Sequence, residues 1–267
     1  MDQIKSLVRR QPLATYFVLA YALTWLLTPL VMISVALGVF GLLMPAAAAI
    51  VVTAMTEGKR GVKALLGRLK IWRVGVRWYV VALGLPMVLS VVVVAVSVLL
   101  GTPAQIEISP ISPLSIIVFV LVLGEEIGWR GYALPKLLPN HSAMTASLIL
   151  GVLWAGWHLP TFFLTGTPQA GIPFIAFLLY TVGFSIVFTW LYLHTRGSLL
   201  LATLLHGASD TLGLINTALD PVTHWWLIGI VYIAAGLLVF IIAGLNLGRQ
   251  PAAEQLTAST QETTAIS

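Results

Sequence analysis

Three clusters of ionisable or polar residues interrupt stretches otherwise built of Leu, Val, Ile and Ala, and their spacings suit chemistry. The first is Gly124-Glu125-Glu126-Ile127-Gly128-Trp129-Arg130. On a helix Glu126 and Arg130 stack on one face with the acid N-terminal to the base, which is the favourable order. A buried carboxylate with that partner stays ionised and is held in one rotamer. Glu125 points about 100° away around the helix axis and has no partner at that spacing. It is therefore free to act as a general base on water. The second cluster is Trp154-Ala155-Gly156-Trp157-His158, where Trp154 lies one turn before the imidazole and can limit its rotamers. The third is His206-Gly207-Ala208-Ser209-Asp210. His206 and Asp210 again share a helical face, and Gly207 and Ala208 leave room for a neighbouring helix or a substrate backbone.

The elements that carry these clusters are set by the apolar stretches. Eleven apolar or small residues, Leu114–Gly124, precede the first cluster, and as a helix they rise only about 16 Å. A hydrocarbon core is ~30 Å thick, so a helix that crosses must continue through both glutamates and Arg130 to Leu134, where Pro135 can end it. The carboxylates then lie inside the membrane, where ionisable groups are rare and usually line an ion path or a reactive cavity.

Composition supports that setting. Hydrophobic residues make up 59% of the 267 and charged residues only 9%, against about 25% charge in a soluble domain. The expected fold class is all-α, a polytopic membrane protein with eight transmembrane helices: 13–34, 37–56, 78–100, 114–134, 143–164, 172–193, 198–218 and 224–245. The first two are separated only by a break near Gly38–Gly41. Strict strand alternation is absent, which argues against an outer-membrane barrel. Counting 1.5 Å per residue puts Glu125 about 17 Å from either surface, His206 about 12 Å and His158 about 20 Å from the inner one. Tilts of helices and uncertain ends account for scatter of that size.

The fourteen basic residues report topology rather than nucleic-acid binding. With both termini cytoplasmic, Lys5, Arg9 and Arg10, then Lys59 to Arg77, then Arg130 and Lys136, Arg196 and Arg249 all fall on the inner side, while the outer loops hold Glu107, Asp220 and His224 and no Lys or Arg. That is the positive-inside pattern. The expected location is the cell membrane, multi-pass, with a retained signal-anchor at the N-terminus. Cysteine is absent, which excludes disulfides, thiolate nucleophiles and Cys-ligated zinc. Residues 1–249 read as a single membrane domain with a motif core at about 114–215, and 250–267, rich in Thr, Ala, Ser and Gln, as a disordered cytoplasmic tail. Lys59–Arg77 either lies along the inner interface or only fixes topology. Trp225 and Trp226 at the outer edge, and Trp72 and Trp78 at the inner edge, read as interfacial anchors. His141, His194 and His224, at span ends, read as interfacial too. One buried histidine can serve packing alone, but six ionisable residues on three spans each need an internal partner, and that points to a functional cluster.

At these residues the chain resembles the CAAX-protease and bacteriocin-processing (CPBP) intramembrane proteases. Members of that family carry Glu-Glu-x-x-x-Arg, then Phe-x-x-x-His, then His-x-x-x-Asn/Asp on separate spans in that order. Here these are Glu125-Glu126-x-x-x-Arg130, Trp154-x-x-x-His158 and His206-x-x-x-Asp210, within about 114–215. The departure is Trp154 for Phe, aromatic for aromatic. Asp210 rather than Asn adds a charge that could favour metal binding.

The resemblance implies an intramembrane endopeptidase that hydrolyses a peptide bond with a glutamate-activated water, and it is consistent with eight helices. Glu125 would take a proton from a water held by His158, and His206 and Asp210 would stabilise the oxyanion or position the water. Glu126 and Arg130, with Trp154, would brace the site. Relatives are often classed as metalloproteases, so a divalent metal such as zinc, held by His158 and His206, stays open. The sequence has no His-Glu-x-x-His. The implied partners are a peptide or membrane-protein substrate and the lipid bilayer, with no nucleic acid; a farnesylated C-terminal peptide is the family's eukaryotic precedent. Two alternatives are a proton-coupled transporter, for which inverted repeats would be expected, and a non-catalytic membrane immunity or scaffold protein of the same fold.

Overall fold

The computed structural model describes residues 2–109 and 111–249; the expected tail at 250–267 lies outside the described residues. The chain is helical nearly throughout. In order it forms α1 (Asp2–Arg10), α2 (Pro12–Leu27), α3 (Val35–Gly38), α4 (Met44–Gly67), α5 (Val76–Leu99), β1 (Ile106–Ile108), α6 (Pro113–Glu126), a π-helical segment Ile127–Ala133, α7 (Leu134–Leu137), α8 (Ala143–Trp157), α9 (Phe174–His194), α10 (Leu199–Thr211), β2 (Leu214–Asn216) and α11 (Pro221–Ala243). The chain is an all-α, polytopic membrane protein.

Among the described residues six helical stretches are long and apolar enough to cross a bilayer: Pro12–Met32, Val39–Lys70, Val76–Leu99, Ala143–Phe163, Phe174–His194 and Pro221–Ala243. The expected fourth and seventh spans are not among them. The fourth follows a helical path from Pro113 to Leu137 but changes type at the charged cluster. The seventh, expected over 198–218, is helical only over the 13 residues Leu199–Thr211. After Thr211 the backbone becomes extended, and Leu214–Asn216 pairs antiparallel with Ile106–Ile108 in the register Ile106↔Asn216. Asn216 anchors this ribbon, accepting from the Gln105 N–H at 3.1 Å and donating to Ser97 Oγ at 2.9 Å. α10 is buried along most of its length, whereas α6 exposes Leu114, Ile116, Ile117 and Val120 and is buried only toward Glu125; these two helices carry the Glu/Arg and His/Asp clusters.

The break near Gly38–Gly41 is real. Two 3-10 turns, Thr28–Met32 and Val39–Leu43, flank the short α3. Beyond them α4 runs on to Gly67 instead of stopping near 56, kinked at Gly58, where φ is 68° and a side chain would be strained.

Close helix contact is made by small residues, as expected where lipid gives little drive for association. A Cβ on Gly183 of α9 would collide with the Tyr232 backbone of α11, and one on Gly236 would lie 3.1 Å from Gly183 Cα. Ser198 caps α10 by accepting from the Leu201 N–H at 3.2 Å, while its own hydroxyl donates to Ile71 O at 2.6 Å.

The helix ends sort by charge. At one end Lys136 pairs with Glu57 at 2.9 Å, Arg249 donates to Leu138 O at 2.8 Å, Arg68 donates to Gly131 O and to the Tyr192 hydroxyl, and Arg196 donates to Arg73 O. At the other end lie α3, the β ribbon, the 158–173 connection and the start of α11. Of the expected tryptophan anchors, Trp72 and Trp226 are exposed. Trp78 is buried against Trp190, with centroids 5.2 Å apart, and Trp225 turns inward onto Phe177.

Candidate active site

The acidic pair ends α6, and the next seven residues, all buried, form the π segment. Such wide turns recur at functional sites. The close fit begins at Gly124, where a Cβ would lie 2.7 Å from Leu43 Cα. Glu126 is fully buried and faces away from open space. Its Oε1 accepts from Arg130 Nη1 at 2.9 Å, as the spacing predicts, and also from His206 Nδ1 at 2.8 Å. The second bond joins the first cluster to the third, and nothing in the local sequence indicates it. Arg130 stacks over Phe188, 3.7 Å from the ring centroid, and lies 4.8 Å from that of Trp154. A cation so enclosed is balanced by the carboxylate and by ring faces rather than by water.

Glu125, 2% exposed, points elsewhere. It is unpaired on its own helix, as expected, but it is not without a partner: the indole Nε1–H of Trp154 on α8 donates to Oε2 at 2.8 Å. Trp154 therefore does more than wall His158. An aromatic ring without an N–H could fill the space but could not make this bond.

His158 stands just past the end of α8, and its Nδ1 lies 2.9 Å from Trp154 O. Since a carbonyl only accepts, Nδ1 carries the hydrogen, and a neutral ring then has its lone pair on Nε2. The ring is packed edge-on to Trp157 and Phe177, at 4.6 and 5.0 Å between centroids. His206 is buried on α10 and perpendicular to Trp154 at 5.2 Å. Its Nδ1 is held by Glu126, and its Nε2 lies 3.7 Å from Asp210 Oδ2, close for charges but too long for a hydrogen bond.

Glu125, Trp154, His158, His206 and Asp210 line one cavity of about 560 Å³. The residues singled out from three separate spans are thus brought together, with Glu126 and Arg130 behind the wall. Several groups that no motif marks share the same lining. Tyr180 and Tyr232 both approach Ser209 Oγ, at 3.3 and 3.0 Å, which makes a chain of hydroxyls beside Asp210. The available signal was a tyrosine inside each of two apolar helices. His224, expected at the interface, lines the cavity instead, and its Nδ1 is buried without a hydrogen-bond partner.

A metal could be held here only by the Nε2 atoms of His158 and His206 together with Glu125 or Asp210. Among the described residues no three His, Cys, Asp or Glu side chains gather as a metal site. His158 and His206 have Nδ1 held by Trp154 O and Glu126 and keep Nε2 toward the cavity, while Trp154 occupies one oxygen of Glu125. No step below passes through a metal.

Residues 107–212 match the family described as type II CAAX prenyl endopeptidase, Rce1-like. Over 99 residues the chain is 34% identical to CAAX prenyl protease 2 of Methanococcus maripaludis. That alignment covers 34% of this chain and 36% of the relative, so the chain matches about a third of that curated protein's length. The segment matched by the family contains every residue of the three clusters.

Proposed function

We propose, from the match of residues 107–212 to the Rce1-like CAAX prenyl endopeptidases and from the site itself, that this chain hydrolyses a peptide bond within the membrane by a water that Glu125 activates. The observation that carries the proposal is the different treatment of two adjacent carboxylates. Glu126 is locked behind the wall by Arg130 and His206, while Glu125 faces a cavity it shares with two imidazoles and an aspartate.

The steps use this chain's own groups. A water in the cavity gives one proton to Glu125, and its other hydrogen is directed at the Nε2 lone pair of His158, which keeps the oxygen aimed. That oxygen attacks the scissile carbonyl carbon, and the carbonyl oxygen becomes an oxyanion. His206, braced on Glu126 through Nδ1, presents its Nε2 edge to the cavity and donates to the oxyanion when protonated, with Asp210 Oδ2 3.7 Å away. Collapse breaks the C–N bond, and the leaving nitrogen takes the proton from Glu125. Arg130 neutralises Glu126 so that the buried brace holds its shape.

The test compares protein termini in membranes of cells carrying the wild-type chain or Glu125→Gln. New termini should appear with the wild type and vanish with the variant, while the purified variant stays folded in detergent. Cleavage at near wild-type rate by Glu125→Gln would remove Glu125 from the role of base.

A further inference from the structure

The mouth of the cavity and the basic residues lie at opposite ends of the molecule. The eight longest helices each have one end in each group. α2, α5, α8 and α10 start at the basic end, and α4, α6, α9 and α11 start at the other. The basic end is knit together by the Lys136–Glu57 pair and by the Arg68, Arg196 and Arg249 bonds to backbone carbonyls. The cavity descends from the other end. Its rim is formed by Val39, Ser109, Gln169, Ile215 and Trp225, and its floor is Glu125 and His206. No Lys or Arg lines it. Toward the basic end it is closed by Glu126, Arg130 and the π segment, all of which are buried.

Cytoplasmic loops hold the excess of Lys and Arg in membrane proteins. We infer that the cavity opens to the face away from the cytoplasm, so that its substrate is a polypeptide segment presented at the outer surface rather than a C-terminal tail ending in the cytoplasm. The substrate half rests on the hydrolase reading above; the sidedness half does not. The separation is also electrostatic. The rim side carries Glu107 and Asp220 and the floor Glu125 and Asp210, so a neutral or basic segment would approach without like-charge repulsion.

The chain has no cysteine, so single cysteines report position without background. Gln169→Cys and Ile215→Cys at the rim and Lys59→Cys at the basic end would each be treated with a membrane-impermeant maleimide. The reaction is run on spheroplasts, on inverted vesicles and on detergent-unfolded protein. Rim cysteines should react in spheroplasts and Lys59→Cys only in inverted vesicles. Rim cysteines that fail to react from outside, while reacting fully when unfolded, overturn the sidedness. In the comparison of termini, Glu125-dependent cuts should map to outer segments of membrane-anchored proteins. Cuts in cytoplasmic tails would overturn the substrate assignment and leave the hydrolase standing. Absence of any Glu125-dependent cut would defeat the hydrolase reading, and with it the substrate assignment, while the labelling result would still decide the sidedness.

Discussion

The indole N–H of Trp154 reaches across from α8 to hold Glu125 Oε2 at 2.8 Å. The same ring stands perpendicular to His206 at 5.2 Å and beside Arg130 at 4.8 Å. One side chain thus orients the proposed base and separates it from the Glu126–Arg130–His206 assembly behind it. Phe, the residue the family pattern carries here, would keep the ring contacts and lose the bond.

Trp154→Phe should therefore lower turnover with little change in KM, and lower the melting temperature as well because a buried carboxylate oxygen loses its donor. A hydrogen bond to a charged group is worth about 1.5–3 kcal/mol, so a loss of about ten- to a hundredfold in kcat is expected. Equal activity in the two proteins would show that the bond does not position Glu125.

Removing Arg130 should unfold before it inactivates. Arg130→Ala leaves Glu126, fully buried, with only His206 to balance it, and stranding one partner of a buried pair costs about 3–5 kcal/mol. Thermal unfolding in detergent should shift down markedly. A melting temperature like that of the wild type would mean that the pair is not buried as described.

Chelators should leave cleavage within about twofold, because among the described residues no three His, Asp or Glu side chains gather as the cage a divalent ion needs. Loss of activity in a strong chelator, restored by added zinc, would show that the donors rearrange around a metal.

Gly183→Val tests the contact between α9 and α11. Its Cβ would meet the Tyr232 backbone, which cannot swing aside. Overpacking costs about 1–3 kcal/mol, and the helix shift would also disturb the Tyr232–Ser209 bond at 3.0 Å. Stability and activity should fall together. A variant as stable as the wild type would contradict the close approach.

Much of the site was legible in the sequence because ionisable residues inside apolar stretches have few places to go. The Glu126–Arg130 pair follows from helical spacing alone, and the shared cavity of Glu125, His158, His206 and Asp210 follows from the need to bury them together. The partners supplied by distant helices were not legible. Glu126 meets His206 across 80 positions and Glu125 meets Trp154 across 29, and no local period encodes such pairings. The π segment was missed because α and π turns use the same residues and differ only in how neighbours pack. The seventh helix ends earlier than its apolar run implies, because Leu212 has extended backbone and Leu214 and Ile215 belong to β2.

The brevity of α10 has a consequence for how the protein is made. Thirteen residues ending in Ser209-Asp210-Thr211 rise about 20 Å, too little to hold a place in a bilayer unaided. α6, interrupted by two carboxylates and a guanidinium, is no better suited to partition alone. In the folded chain both are held by their neighbours, α6 against α10 and α4, and α10 against α5, α6 and α9. Glu126 meets His206 only once α10 has joined α6. The site stays incomplete until the later helices arrive, and a product truncated before α10 would lack both His206 and Asp210.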